Sequence, residues 1–255
     1  VILFLAGTSD ARSLAVQIKE SGLKLLATVV TDNARVELEK VGIDTMVGRL
    51  NSDEMTDLIE SEKIEAIVDA SHPFAEEASK NAILAAKNAN IPYIRYERPV
   101  IEQEYEKIIK ASSYEEAAEI AAKKQGVIFL ATGSKTLQIF SEILLSCPNT
   151  RMIARMLPRK DNMEKCEQLG IPQKNIVAIQ GPFTKEFDQA LYRQYGVTLL
   201  ITKDSGKEGS VNEKVAAARE LDIETILITR PKIEYENKCT TFKEVLEQLP
   251  LVLSK

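Results

Sequence analysis

The residues of this chain that could do chemistry follow short apolar runs. The first run, Val1–Ala6, leads into Gly7-Thr8-Ser9-Asp10-Ala11-Arg12. A glycine turn entering a helix offers free N–H groups and the positive end of a helix dipole to a phosphate. The same residues also read as a tight turn capped by Ser9 or Asp10. The run Ile64–Ala70 leads into Ser71-His72-Pro73-Phe74-Ala75, and His72 is the only histidine in the chain. An imidazole can hold or pass a proton near neutral pH, and Pro73 sets the turn ahead of a helix. Arg95 and Arg98 follow in Arg95-Tyr96-Glu97-Arg98-Pro99. Four comparable turns lie further on. They are Thr132-Gly133-Ser134-Lys135-Thr136, Arg155-Met156-Leu157-Pro158-Arg159-Lys160, Gln180-Gly181-Pro182-Phe183, and Thr202-Lys203-Asp204-Ser205-Gly206-Lys207-Glu208-Gly209. Each alone is an ordinary loop. Together they concentrate cations and glycines where an anionic ligand would be focused.

The elements that must carry these turns alternate from end to end. Strands are expected at Val1–Ala6, Leu25–Val30, Thr45–Val47, Ile64–Ala70 and Pro92–Tyr96, because continuous apolar runs suit strands buried on both faces. Helices are expected at Asp10–Glu20, Ser52–Glu60 and Phe74–Asn90. A polar stretch with Pro99 and several glutamates then reads as a linker. Beyond it the same order resumes, with strands at Val127–Ala131, Arg151–Ala154, Asn175–Ile179, Thr198–Thr202 and Thr225–Ile228. Helices at Ser113–Lys124, Lys135–Leu145, Asp161–Leu169, Lys185–Tyr195, Val211–Leu221 and Thr241–Gln248 separate or follow them. Gly126, Gly170 and Gly196 fall between a helix and a strand, where helices end. The expected class is α/β, with two mostly parallel sheets flanked by helices on both faces and a ligand cleft between two domains. The boundaries read as residues 1–98, a linker at 99–110, and 111–255.

Composition narrows the function. The chain has 255 residues, 44% hydrophobic and 28% charged, with a net charge of −5. Its basic residues are scattered, which argues against nucleic acid as the main partner. No apolar run nears the ~20 residues of a membrane span. Three widely spaced cysteines argue against a disulfide framework or a zinc site and for a reducing, cytoplasmic setting. No metal site is expected from a single histidine, and the G-x-G-x-x-G, G-x-S-x-G and complete P-loop patterns are missing. No tyrosine has a lysine four positions later.

With these blocks in order, the chain resembles the precorrin-6A reductase family. The resemblance rests on Gly7–Arg12, Asp69–Ala75, Arg95–Pro99, Gln180–Phe183, Thr202–Gly206 and Arg230-Pro231. It implies two Rossmann-like domains and hydride transfer from a reduced nicotinamide to a ring-D double bond of precorrin-6A or its cobalt complex. A cleft rich in arginine, lysine and backbone N–H groups suits such a polycarboxylate tetrapyrrole. The residues expected against the cofactor are Gly7, Thr8, Gln180, Gly181, Pro182, Phe183, Ser205, Gly206 and Gly209. Those expected against the substrate are Arg12, Ser71, His72, Phe74, Arg95, Arg98, Thr132, Gly133, Lys135, Arg155 and Lys203. His72 and a bound water are the two candidate proton donors.

Between NADH and NADPH the sequence favours NADH. Asp32 follows the second strand about 25 residues after Gly7, near where an acidic residue holds a ribose 2′-hydroxyl. A cofactor seated on the second domain would leave Asp32 a surface turn residue. The rival readings are another Rossmann-type reductase, such as a sugar-nucleotide enzyme, and a non-catalytic tetrapyrrole- or anion-binding protein. The oligomeric state is not legible.

Overall fold

The structure, a computed structural model, describes residues 1–100, 105–206 and 211–254. The chain divides into two compact units, one of Val1–Pro99 with Pro231–Lys255, the other of Val100–Arg230.

The first unit runs β1 (Ile2–Ala6), α1 (Ser9–Glu20), β2 (Leu25–Val29), α2 (Asp32–Glu39), β3 (Asp44–Val47), α3 (Ser52–Ser61), β4 (Ala66–Ala70), α4 (Glu76–Asn88) and β5 (Tyr93–Tyr96). The second runs β6 (Ile108–Ala111), α5 (Tyr114–Lys124), β7 (Gly126–Leu130), α6 (Leu137–Leu144), β8 (Thr150–Met156), α7 (Lys160–Gln168), β9 (Ile176–Ala178), α8 (Lys185–Tyr195), β10 (Leu199–Lys203), α9 (Val211–Glu220) and β11 (Glu224–Ile228). The chain then returns to the first unit with β12 (Lys238–Cys239) and α10 (Phe242–Leu253).

Each unit holds a six-stranded sheet, ordered β12-β5-β4-β1-β2-β3 in the first and β6-β11-β10-β7-β8-β9 in the second. The registered pairs in both are parallel. Read from β3 and from β9, both orders are the 3-2-1-4-5-6 order of the Rossmann fold. The sixth strand of the second sheet is the first strand of its unit, and that of the first sheet comes from the segment that returns after the second unit. β6 enters the second sheet beside β11, and β12 enters the first beside β5.

The bounds of the two units differ from those expected. Ile108–Ala111 falls partly in the expected linker and is a strand, and the C-terminal segment expected in the second domain belongs to the first unit. A two-residue strand and a four-residue strand among charged residues leave no periodic signal. α2 also has no counterpart in the sequence reading, since Leu38 is its only fully buried residue. α10 runs past the expected Gln248 with Pro250 inside it.

Strand alternation builds the first core on both sides of one sheet. Ile2 and Phe4 of β1 pack with Leu14, Ala15 and Ile18 of α1 and Val245 of α10. Leu3 and Leu5 point the other way, onto Met55 and Ile59 of α3 and Ala82 and Ala85 of α4. In the second unit Phe129, Ile153 and Leu200 meet Tyr192 of α8 and Ala217 and Ala218 of α9. Asn51 caps α3 with a full capping box, its side chain accepting from Asp53 and Glu54 while the Glu54 carboxylate accepts the Asn51 N–H. Gly196, left-handed at φ 64°, ends α8 as expected. Among the described residues no helix is long and apolar enough to cross a membrane.

Candidate active site and family

In an open parallel sheet, ligands collect at the carboxyl edge where strand order reverses. In the first unit that point lies between β1 and β4, and the two turns there touch. A Cβ on Gly7 would stand 2.9 Å from the His72 nitrogen and 3.3 Å from the Ser71 Cα. Only glycine permits this approach of backbone to backbone.

Thr8 is the N-cap residue of α1, but its side chain makes no cap bond to the helix. Its hydroxyl donates to Asp10 instead. The first turn of α1 therefore keeps its N–H groups directed at the carboxyl edge. Beside it a groove of about 330 Å³ is lined by Gly7, Ser9, Arg12, Val30, Asn33 and Glu37, among others. Arg12 donates to Glu37 at 2.9 Å. Asp32 is not part of this lining. Its side chain is 81% exposed and accepts from Arg35 at 3.2 Å. The acidic residue that faces the groove is Glu37, further along α2.

A second, smaller crevice collects Thr8, Asp10, Ser71, Pro73, Tyr96 and Arg98. Arg98 is 7% exposed and stands 3.5 Å from Asp10. Behind it lies a buried polar network. Asp69 accepts from the Ser71 N–H at 2.9 Å, Ser79 Oγ at 2.6 Å, Tyr93 OH at 2.7 Å and Arg95 Nη1 at 3.0 Å. Burial pushes the Asp69 carboxyl up, but Arg95 and the three hydrogen-bond donors outweigh it and hold the group below the usual carboxylate range. Tyr93 is pushed well above the ordinary phenol by burial and by Asp69. Arg95 is fully buried, with Glu97 at 3.4 Å and the Ser71 hydroxyl at 3.2 Å. Arg95, expected against the substrate, has its guanidinium paired with Asp69 inside the unit. Sequence spacing could not distinguish it from Arg98, three residues away.

His72 is half-buried. Its Nδ1 accepts the Phe74 N–H at 3.1 Å, and its carbonyl accepts the Ala75 N–H at 2.7 Å. The rings of His72 and Phe74 lie 6.0 Å apart.

In the second unit the strand order reverses between β7 and β10. Thr132 follows β7, is 4% exposed, and its hydroxyl has no hydrogen-bond partner among the described residues. Gly133 takes φ 81° in the turn that leads to the exposed Lys135. Lys165 ties this turn down, donating to the Ser134 and Lys135 carbonyls at 2.8 and 3.2 Å. Lys203 ends β10, where burial, with repulsion from Lys135, brings its ammonium down to about 8. Ser205 is buried and Gly206 takes φ 73°. Gly209 lies outside the described residues.

Arg155 of β8 is 5% exposed beneath α8. Its Nη1 donates to Asp188, and its guanidinium lies 4.4 Å from the Phe183 ring centre and 5.3 Å from that of Phe129. Among the described residues Nη2 has no hydrogen-bond partner, nor do Asp188 Oδ2 and Tyr192 OH. Burial first, then the charge of Arg155, brings the Lys214 ammonium of α9 down to about 8. Lys214, Asp188, Tyr192 and Glu37 are absent from the sequence-based candidates because they sit inside helices rather than in the turns at strand ends. Of the Gln180–Phe183 turn, Phe183 reaches this cluster, and it also stacks on Phe187 at 5.3 Å.

Residues 1–250 match the family model described as precorrin-6x reductase CbiJ/CobK. The chain belongs to the precorrin-6x reductase family. It is 62% identical over 249 residues to the cobalt-precorrin-6A reductase of Priestia megaterium, covering 98% of each chain. It is 36% identical to the cobalt-precorrin-6A reductase of Methanothermobacter thermautotrophicus, covering 93% of this chain and 78% of that one. A solved structure titled CobK precorrin-6A reductase superposes with a TM-score of 0.80 at 25% identity, over 98% of this chain and 95% of that one. This member of the precorrin-6x reductase family therefore carries the α/β fold expected from its alternating elements and the oxidoreductase assignment that the resemblance implied. A nicotinamide-type cofactor goes with that assignment.

Proposed function

We propose that this chain is a cobalt-precorrin-6A reductase that uses NADH, acting in cobalamin biosynthesis in the cytoplasm. The observation that carries the reading is the 62% identity to the Priestia megaterium enzyme across 98% of both chains. The three cysteines stand free, in keeping with a reducing compartment.

A dinucleotide fits the first unit. The uncapped start of α1 and the bare Gly7 backbone suit a pyrophosphate, and the adjoining groove suits an adenosine. When bound, the reduced nicotinamide supplies the hydride for a ring-D double bond of the corrin precursor. The chain's own work is to hold the macrocycle, orient it and keep water from the reacting carbon. In the first unit Ser71, His72, Phe74 and Arg98 are proposed to meet its carboxylates and ring; the candidates of the second unit are Thr132, Gly133, Lys135, Arg155 and Lys203. The choice of NADH rests on Glu37, a carboxylate facing the groove where a 2′-phosphate would otherwise stand.

The test is loss of reduced-nicotinamide absorbance when cobalt-precorrin-6A is added, run in parallel with metal-free precorrin-6A. Turnover with the cobalt form, faster with NADH than with NADPH, is the expected result. No oxidation with either macrocycle would overturn the reading.

A further inference from the structure

β7 holds the place in the second sheet that β1 holds in the first, beside the point where strand order reverses. The turn that follows it leads into α6, which starts unlike its neighbours. Thr31, Thr184 and Thr241 stand extended ahead of α2, α8 and α10, and each hydroxyl accepts an N–H of the first helical turn. Thr136 stands ahead of α6 at φ −105° and ψ 12° and makes no such bond. Among the described residues α6 is also the one α-helix with no acidic side chain in its first turn. The positive end of its dipole therefore has no counter-charge from its own helix. Thr132 is 4% exposed, and neither its hydroxyl nor the buried hydroxyl of Thr136 has a hydrogen-bond partner among the described residues. Buried hydroxyls are ordinarily paired, so these two point to an acceptor that the chain itself does not supply.

Lys165 of α7 sets the direction of this turn. Its ammonium draws the Ser134 and Lys135 carbonyls to one side, at 2.8 and 3.2 Å. In a trans peptide the carbonyl and the next N–H point opposite ways, so the N–H groups of Lys135 and Thr136 face away from Lys165. Neither donates to an acceptor among the described residues. The turn is open at Gly133, where a built Cβ would meet nothing within 4 Å, and Lys135 adds an exposed cation. We propose that this turn is an oxyanion site, in which the Lys135 and Thr136 N–H groups and the Thr132 and Thr136 hydroxyls take one carboxylate or phosphate of a bound ligand, and that Lys165 is the positioning residue that sets the turn for it. Every group offered is a donor or a positive dipole end, which suits an oxyanion and no cation. A carboxylate of the macrocycle and a phosphate of the dinucleotide share that chemistry. Which of them binds here rests on the reductase reading; the site itself does not.

Kinetics of the full chain give the first arm of the test. Lys165→Met keeps the stem and removes the ammonium, and is expected to raise the KM of one ligand by about tenfold with a smaller change in kcat. Lys165→Arg, which can still donate to both carbonyls, is expected to recover most of that loss. Thr132→Val is expected to raise the same KM, yet to unfold in urea no earlier than the parent, because the hydroxyl it removes is unpaired inside the fold. A rise for cobalt-precorrin-6A assigns the site to a macrocycle carboxylate, and a rise for NADH assigns it to a dinucleotide phosphate. No rise for either, or the same rise for both, would overturn the proposal, as would a Thr132→Val that is less stable than the parent. The second arm needs no turnover. Nitrogen-15 amide spectra of the ligand-free chain, titrated with inorganic phosphate against sodium chloride at equal ionic strength, are expected to move the Lys135 and Thr136 signals, and to move them several-fold less in Lys165→Met. Signals that stay in place in the parent would overturn the site. A parent that oxidises no reduced nicotinamide defeats the reductase reading alone, since the titration still decides whether the turn takes an oxyanion.

Discussion

A methyl group on Gly7 would come 2.9 Å from the amide nitrogen of His72. Two turns more than sixty residues apart in sequence thus share one contact at the reversal point of a single sheet, and whatever moves one moves the other. Gly7→Ala is expected to cost about 1–3 kcal/mol, the usual range for overpacking, because the atoms in the way are backbone. Urea unfolding gives the stability change. A midpoint equal to the parent's would mean that the β4 turn yields freely.

Arg95 tests the difference between a ligand-facing and a structural cation. Arg95→Met leaves Asp69 buried without its counter-charge, so a loss of about 3–5 kcal/mol is expected. Lys238→Ala, which removes a partly exposed partner of Glu97 at 3.3 Å, should change stability by no more than about 1 kcal/mol. Paired chemical denaturation curves decide it. An Arg95 variant as stable as the parent, but with weakened substrate binding, would return Arg95 to the ligand site.

Cofactor choice separates Asp32 from Glu37. Asp32→Ala is expected to leave the ratio of kcat/KM for NADH and NADPH unchanged, since its side chain turns to Arg35 and away from the groove. Glu37→Gln removes the carboxylate and frees Arg12, so the ratio is expected to shift toward NADPH by about tenfold, worth about 1.4 kcal/mol. A shift in the Asp32 variant and none in the Glu37 variant would reverse the assignment.

Lys203 and Lys214 give stability a pH dependence of known sign. Both are lowered to about 8 by burial and neighbouring cations. Unfolded lysines hold their proton to about 10.4. Between these values the unfolded chain binds more protons, so stability rises as pH rises. Below about pH 8 both states are charged and the cost of the buried ammonium is present in full. Melting temperatures from pH 8 to 10 should therefore climb more steeply in the parent than in Lys214→Met. The window closes near pH 10, where tyrosines raised by burial, Tyr93 and Tyr192 among them, bring the opposite slope. Matching slopes in the two proteins would show that Lys214 does not titrate there.

The sequence by itself determined the layers and the turns. Runs such as Val1–Ala6, and Leu199–Ile201 within the expected strand Thr198–Thr202, are apolar on both strand faces, which only a sheet covered on both sides accommodates. The glycine, histidine and cation blocks necessarily follow those runs, so the carboxyl edges could be located from spacing alone. What spacing could not supply is which neighbours close around each side chain. Arg95 and Arg98 look alike in the chain, yet one faces Asp69 in the interior and the other Asp10 at the edge. Asp32 and Glu37 are both acidic residues after β2, and only the rise of α2 turns the second toward the groove. The places of β6 and β12 were likewise invisible, because a short edge strand owes its place to the backbone of its neighbour rather than to a pattern of its own. Local periodicity reports which face of an element is buried. The partner that buries it is chosen by tertiary packing, and the chemistry of each charged residue depends on that partner.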